Sequence, residues 1–396
     1  MSAEHTSNRF IILALAVGGF AIGTTEFAAM SLVPEFSQDL GLSKPQAGHV
    51  ISAYALGVVL GAPILAVLGA RFTSRRLLTA FMAVFAAGNV LSALADSYIT
   101  LLLSRFLAGF PHGAFFGVAA LLAASLVPRH KRSQAFAMVL LGLTIATVVG
   151  VPLAATIGKW VSWRWVFAFV ALLASITATC VWLLAPSNHR TGGSNILAEL
   201  SALKRVQVWL SLLIGAVGFG GLFAVYTYLA STLIEVTQAQ PIAIPIVFAC
   251  FGIGMTAGNL LAARAGDIAL LPTMAGTIVI CIISLAIYPL TTGNVWALSA
   301  IVILIGAGGG LSTVLQTRLM DVAGEAQTLA AALNHAALNF ANALGPWLAG
   351  WAIAFGAPLP MTGWVGCALA VCGLLLFFVS VQLEKSHPNT AAALPL

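Results

Sequence analysis

Apolar residues run through this chain in long stretches separated by short breaks of proline, glycine and charge. A helix needs about 20 predominantly apolar residues to cross a hydrocarbon core roughly 30 Å thick. The breaks delimit such stretches at 10–33, 47–70, 77–95, 99–127, 134–158 and 164–186, and again at 208–234, 242–263, 269–290, 294–317, 328–355 and 361–383. The pattern predicts an all-α membrane protein of twelve transmembrane helices. They fall into an N-terminal six-helix bundle over 1–186 and a C-terminal six-helix bundle over 208–396, joined by a cytoplasmic linker at 187–207. Within the linker Ile196, Leu197, Leu200 and Leu203 recur at helical spacing, which predicts an amphipathic helix lying in the membrane interface. The first stretch is too long for the apolar region of a cleavable signal peptide and is expected to be a retained helix.

Repetition within the chain supports the two bundles. Gly57 and Gly61 in the second stretch are matched by Gly254 and Gly258 in the eighth, each 197 positions later, and "GVPLAATIG" over 150–158 corresponds to "GPWLAG" over 345–350. Small residues four apart let helix backbones approach closely. Repeated halves that rock about a central site are a common transporter plan. The alternative is chance matching among 38 glycines.

Composition agrees with the pattern. Hydrophobic residues make up 60% of the chain and charged residues 7%, against roughly 25% charged in an ordinary soluble domain. The net charge of +6 calls for no nucleic-acid partner, because the basic residues gather in alternate loops. With both termini in the cytoplasm, thirteen Lys and Arg lie on the cytoplasmic side, Arg71 and Arg264 among them, against Lys44, Lys159 and Arg164 outside; that bias sets orientation. The five cysteines all fall in apolar stretches without metal-ligand spacing and read as small buried hydrophobes.

Charges inside the apolar stretches demand a partner or a task, and two stand out. Glu26 lies about 10 Å in from the outer end of the first stretch and Arg105 about 9 Å in from the same side of the fourth, at 1.5 Å per residue. Matching depth predicts that both face the cavity between the bundles and interact directly or through water. In the functional reading Glu26 exchanges protons and Arg105 tunes it; in the structural reading the pair is a static bridge. His112, seven residues past Arg105, shares its helix face and could bind substrate, relay protons or simply bond another helix. Asn334, His335, Asn339 and Asn342 make the eleventh stretch unusually polar, either as cavity lining or as interhelical hydrogen bonds. Phe20, Phe27, Tyr54, Phe115, Phe116, Tyr226 and Tyr228 are candidate aromatic walls, since ligand sites are mostly apolar with a few placed polar groups.

Four segments carry a resemblance: "GTTEF" at 23–27, "AGHVISAYALGVVLGAPI" at 47–64, "SRFLAGFPHGAFFGVAA" at 104–120 and "GVPLAATIGKWVSWRWVF" at 150–167. With them the chain resembles the drug:proton antiporter group of the major facilitator superfamily, including arabinose-efflux-permease-like proteins. The fourth-stretch segment is similar to the superfamily's motif B, whose arginine corresponds to Arg105 and is implicated in proton coupling. The fifth is similar to motif C, carried here by Gly150, Pro152 and Gly158, which is characteristic of antiporters. The loop after Gly61 keeps Arg71, Arg75 and Arg76 of motif A but has Ala70 where the motif has Asp, while Arg264 and Asp267 survive in the second half.

The resemblance implies a proton-coupled exporter of small organic molecules in a bacterial inner membrane, acting by alternating access as a monomer and without a cofactor. An uptake symporter or uncoupled facilitator is the competing transport reading. An enzyme or an ATP-driven pump is disfavoured by the lack of paired catalytic carboxylates, metal-ligand clusters and nucleotide-binding loops.

Overall fold

The computed structural model describes residues 2–69, 72–128, 132–187, 204–323 and 327–386. Arg71 and the amphipathic segment expected at 196–203 lie outside the described residues. The described residues form twelve helical spans. In the first bundle these are Ser2–Ser31, Lys44–Gly69, Ser74–Ala93, Tyr98–Gly109 continuing as His112–Ser125, Arg132–Ile145 continuing through a π-helical turn at Ala146–Gly150 into Val151–Trp160, and Trp163–Leu184. In the second they are Val206–Leu213 continuing through a π-helical turn at Ile214–Gly218 into Gly220–Glu235, Ala243–Ile268, Leu270–Thr291, Val295–Ala307 continuing into Leu311–Ala323, Gln327–Ala354, and Thr362–Ser386. Eleven are apolar and long enough to cross a membrane; Gln327–Ala354 is the twelfth. Large apolar side chains such as Leu103, Leu172, Ile283 and Leu375 stand exposed, as a hydrocarbon solvent requires. The face carrying the start of the first span and the end of the last is called here the near face, and the opposite one the far face.

Three boundaries differ from those the sequence suggests. A helix at Val33–Leu40 follows the first span on the far face; Pro34 occupies its first turn and Gly41 ends it in the left-handed region, φ 63°, the usual division of labour between these two residues. The eighth span runs on to Ile268, so Arg264 and Asp267 sit exposed on its last turns and join no ion pair among the described residues. The tenth runs on to Ala323, so Arg318, expected in a loop, is instead buried and paired with Glu384 of the last span at 2.8 Å. An apolar run is judged to stop at its first charge, but a helix continues while a partner satisfies that charge.

The two bundles share a scaffold at the level of single carbonyls. A Cβ on Gly57 would meet the carbonyl of Phe106 in the fourth span, and one on Gly254 would meet the carbonyl of Ile303 in the tenth. Gly61 faces Phe110 as Gly258 faces Ala307, and Gly109 faces Tyr54 as Gly306 faces Phe251. Both partners in each case are displaced by 197 positions. The second span therefore packs on the fourth by the same backbone contacts with which the eighth packs on the tenth, and only glycine permits that separation.

The bundles are fused at the far face. One apolar cluster takes in most of the second bundle together with Phe27, Leu32, Phe36, Val151 and Trp163 of the first. Lys44 pairs with Glu235 across the seam at 2.6 Å, and Ser52 donates to the carbonyl of Ala343 at 2.8 Å. In the fifth span the π-helical turn and the segment beyond it lie on the eighth span, whereas its near-face segment packs on the first and fourth.

Candidate functional site

The fourth span is interrupted at Phe110 and Pro111, where proline removes a backbone donor, and this break lies between Arg105 and His112. Arg105 is 1% exposed. Its guanidinium donates to the Thr25 hydroxyl at 2.8 Å and the Thr25 carbonyl at 2.9 Å, and stands over the rings of Tyr54, 4.4 Å away, and Phe167, 5.1 Å away. The Thr25 hydroxyl donates onward to Asn89 at 2.6 Å, and Asn89 donates to the Phe85 carbonyl. A cation inside a membrane is thus held by a hydroxyl, a carbonyl and two aromatic faces.

Glu26, next to Thr25, turns the other way. Successive residues on a helix point about 100° apart, so Arg105 reaches Thr25 while the Glu26 carboxylate accepts from Asn342 of the eleventh span at 3.2 Å. The direct Glu26–Arg105 bridge that matching depth allowed is not made among the described residues. Thr25 and Glu26 share one turn of the first span, with Thr25 meeting Arg105 inside its own bundle and Glu26 on the seam.

From Glu26 a row of polar and aromatic groups follows the seam toward the near face. Tyr54 and His112 are hydrogen-bonded, hydroxyl to Nδ1, at 3.0 Å. His112 lies 5.4 Å from the Phe116 ring, and Phe116 stacks on His335 of the second bundle at 6.0 Å and 6°. His335, Asn339 and Asn342 recur at i, i+4 and i+7 and so share one face of the eleventh span. Asn339 donates to the His335 carbonyl, and the side-chain oxygens of Asn339 and Asn342 are buried without a hydrogen-bond partner. Asn334 departs from this row: it donates to Gln316 of the tenth span at 2.8 Å.

Above Glu26 the seam is aromatic. Phe27 lies 6.1 Å edge-on from Tyr226, and Tyr226 packs on Phe248 at 5.1 Å and Phe251 at 4.0 Å. The Tyr226 hydroxyl is buried and unpartnered. In the fifth span Gly150 closes the π-helical turn against Thr24 and Phe20 of the first span, with Pro152 just after it, and Gly158 abuts Leu32. A π-helical turn ahead of a proline satisfies the backbone that the proline would strand.

Several groups here had no sequence signal that singled them out. Thr25 and Asn89 anchor the arginine, yet a threonine and an asparagine are unremarkable in a span. Arg318 forms a second buried polar centre with Glu384, Gln207 and Ser380; only its charge next to an apolar run could have flagged it.

Comparison with known proteins fits this architecture. Residues 15–325 match the family described as the Major Facilitator Superfamily. The inner membrane transport protein YdhP of Escherichia coli strain K12 is 37% identical over 94% of this chain and 96% of its own length. A chloramphenicol resistance protein of Streptomyces lividans is 34% identical over 85% of this chain and 87% of that one. Among solved structures, a bacterial homologue of the human lysosomal transporter Spinster, caught inward-facing and unoccupied, superposes with a TM-score of 0.70 at 18% identity, covering 97% of this chain and 96% of that one. Two pseudo-symmetric six-helix bundles, a family match across most of the chain and relatives that are membrane transporters rather than enzymes lead to one assignment: the chain belongs to the major facilitator superfamily.

Proposed function

We propose that this transporter exports small organic molecules in exchange for protons, with Glu26 as the group that carries the proton. The observation that supports this most is the placement of Glu26: a buried carboxylate whose hydrogen-bond partner, Asn342, belongs to the opposite bundle. A charged acceptor holds its donor about twice as strongly as a neutral one. Ionised Glu26 therefore ties the first span to the eleventh, and a proton taken up by the carboxyl loosens that tie and favours parting of the bundles. Arg105, anchored on Thr25, keeps positive charge beside the carboxylate whichever way the bundles rock. Substrate entering between Phe116, His335 and Asn339 competes for the same seam.

Export is the direction favoured by the similarity of 150–158 to the antiporter motif and by a relative that confers drug resistance. In this reading both termini are cytoplasmic, 187–207 links the bundles on that side, a monomer suffices, and the structure corresponds to a state closed at the outer face. The test is export from proteoliposomes under an imposed pH gradient, using a panel of substrates that includes chloramphenicol. Glu26→Gln is expected to abolish gradient-driven export while preserving substrate exchange at equal pH. Gradient-driven export at the wild-type rate in that variant overturns the assignment.

A further inference from the structure

Asn89 of the third span is fully buried, and the polarity of its hydrogen bonds dictates how it acts. Its Nδ2 donates to the Phe85 carbonyl one turn back at 2.8 Å, which fixes the amide so that Oδ1 faces Thr25 of the first span. An amide oxygen only accepts, so the Thr25 hydroxyl gives its one proton to Asn89, at 2.6 Å. A guanidinium only donates, and the lone pairs left on that hydroxyl receive Arg105 at 2.8 Å. The chain of bonds therefore has one direction, from Arg105 through Thr25 and Asn89 to Phe85. Threonines elsewhere in the spans behave differently: Thr156, Thr177, Thr232 and Thr256 each donate to the carbonyl four residues back. For Thr25 that carbonyl belongs to Ala21, and Asn89 draws the hydroxyl away from it. The third span is itself held close to the fourth, since a Cβ on Gly88 would lie 2.7 Å from the Ala108 backbone and Ser92 bonds Ser104 at 2.9 Å.

We propose, on the reading of Glu26 as proton carrier, that Asn89 is a positioning residue: by fixing the polarity of the Thr25 hydroxyl it holds the Arg105 guanidinium inside the first bundle and off the Glu26 carboxylate. Arg105 has no acceptor to spare, since its Nε is already buried without a partner. Without Asn89 the Thr25 hydroxyl turns back to its own helix, and a second N–H of the guanidinium is stranded. A buried donor left unsatisfied costs more when it is charged, and Arg105 and Glu26 already act on one another electrostatically. The guanidinium therefore closes toward the carboxylate one residue along. That contact favours the ionised acid, and the exchanging group loses part of its hold on the proton. Of the other titratable groups around Glu26, Tyr54 stands on the second span, His112 on the fourth, Tyr226 on the seventh and His335 on the eleventh. None of them bonds to Asn89 or Thr25 among the described residues. The charged groups of the fifth and sixth spans and of the short far-face helix stand at the membrane faces.

The experiment labels Glu26 with dicyclohexylcarbodiimide, which adds to protonated buried carboxyls, in the purified full-length protein over a range of pH. Peptide mass spectrometry reads the product. Asn89→Leu is expected to move the labelling profile about one pH unit toward acid, the lower end for a carboxylate that gains a neighbouring cation. Thr25→Val keeps the shape and removes the hydroxyl, so it should move the profile equally, and it serves if the leucine variant does not fold. The two combined decide the matter: Asn89 acts only through that hydroxyl, so Asn89→Leu should add no further shift to Thr25→Val. Thr25→Ser, which keeps the hydroxyl, should keep the wild-type profile. An amide with only a structural role would lower thermal stability and leave the profile in place. An unmoved profile in either single variant, a shift toward alkali, or shifts that add in the double variant overturns the proposal. Labelling needs neither gradient nor substrate, so it separates this outcome from failure of the proton-exchange reading. That failure would show as gradient-driven export surviving Glu26→Gln while the labelling shift stays intact.

Discussion

The two bundles repeat one another in backbone and diverge in chemistry. At the three glycine–carbonyl contacts described above between the second and fourth spans, both partners have their counterparts 197 residues on, in the contacts between the eighth and tenth. The same offset carries Arg105 to Val302, Tyr54 to Phe251 and His112 to Gly309. The first bundle thus holds a cation, a phenol and an imidazole where the second holds a methyl-bearing side chain, an aromatic ring and no side chain at all. The ion pairs are unequal as well: in the first bundle Arg164 and Asp39 pair at the far face, and in the second Arg318 and Glu384 pair toward the near face. On the proposed mechanism the scaffold is kept symmetric because both halves slide on the same contacts, whereas a proton site needs only one carboxylate. The difference teaches where the proposed function would reside: repeated geometry in the sliding surfaces, and broken symmetry in the chemistry.

The scaffold half of that comparison predicts the largest effects. Gly57→Val and Gly254→Val each place a side chain against a carbonyl that belongs to a neighbouring helix backbone, and backbone cannot step aside as a rotamer can. Each substitution is expected to destabilise by at least ~3 kcal/mol, the upper end of ordinary overpacking costs. Thermal unfolding of the purified variants in detergent would read this, and the two losses should be equal within about 1 kcal/mol. A severe loss at Gly57 beside a negligible one at Gly254 would break the claimed equivalence of the bundles.

The chemical half predicts asymmetry at one related pair of positions. Arg105→Met strips Thr25 and two aromatic faces of their cation and should cost about 2 kcal/mol of stability together with pH-driven export. Arg105→Lys keeps the charge but cannot reproduce the planar fork that reaches both oxygens of Thr25, so it should fall between. Val302→Met is a small change in an apolar setting, expected to cost below about 1.5 kcal/mol and to leave export as it was. Parallel transport and unfolding measurements on the three variants sharpen the comparison, and equal transport defects at positions 105 and 302 would contradict it.

Much of this arrangement was legible in the residues themselves. Twelve spans follow from hydrocarbon thickness, and the glycine pairs announced their repeat because close backbone approach admits one residue type. Glu26 and Arg105 stood out because an ionised group in a membrane is costly. Depth could be read from such arguments, but rotation about the helix axis could not. Spans that are apolar on every side give little indication of which face meets which neighbour. Hence the sequence placed Glu26 and Arg105 at one level yet could not assign Thr25 to one and Asn342 to the other. The same ignorance of rotation hid Glu384 from Arg318, 66 positions away, and set Asn334 beside His335 when its amide points to Gln316 instead. The far-face helix was missed because its eight residues are too short and mixed to register as a span.

The smallest expected effect concerns that short helix. Asp39 accepts from Arg164 and from the indole nitrogen of Trp163 at 3.1 Å, while Arg164 also donates to the Ala95 carbonyl at 2.8 Å. The clamp closes the far end of the first bundle. The hydrogen bond from Arg164 is the main cause holding the Asp39 carboxyl below the usual aspartate range. A carboxyl depressed in the folded state contributes stability that is fully present above its unfolded value and is lost as pH falls through the folded one. Wild type should therefore exceed Asp39→Asn in thermal stability by a constant margin above about pH 4, with the margin shrinking steadily in more acidic solution. Both side chains are partly exposed, so the margin should stay within about 1 kcal/mol. A margin that instead grew on acidification would reverse the sign of the linkage and show that the clamp is held by the neutral acid, removing the electrostatic distinction drawn between the far ends of the two bundles.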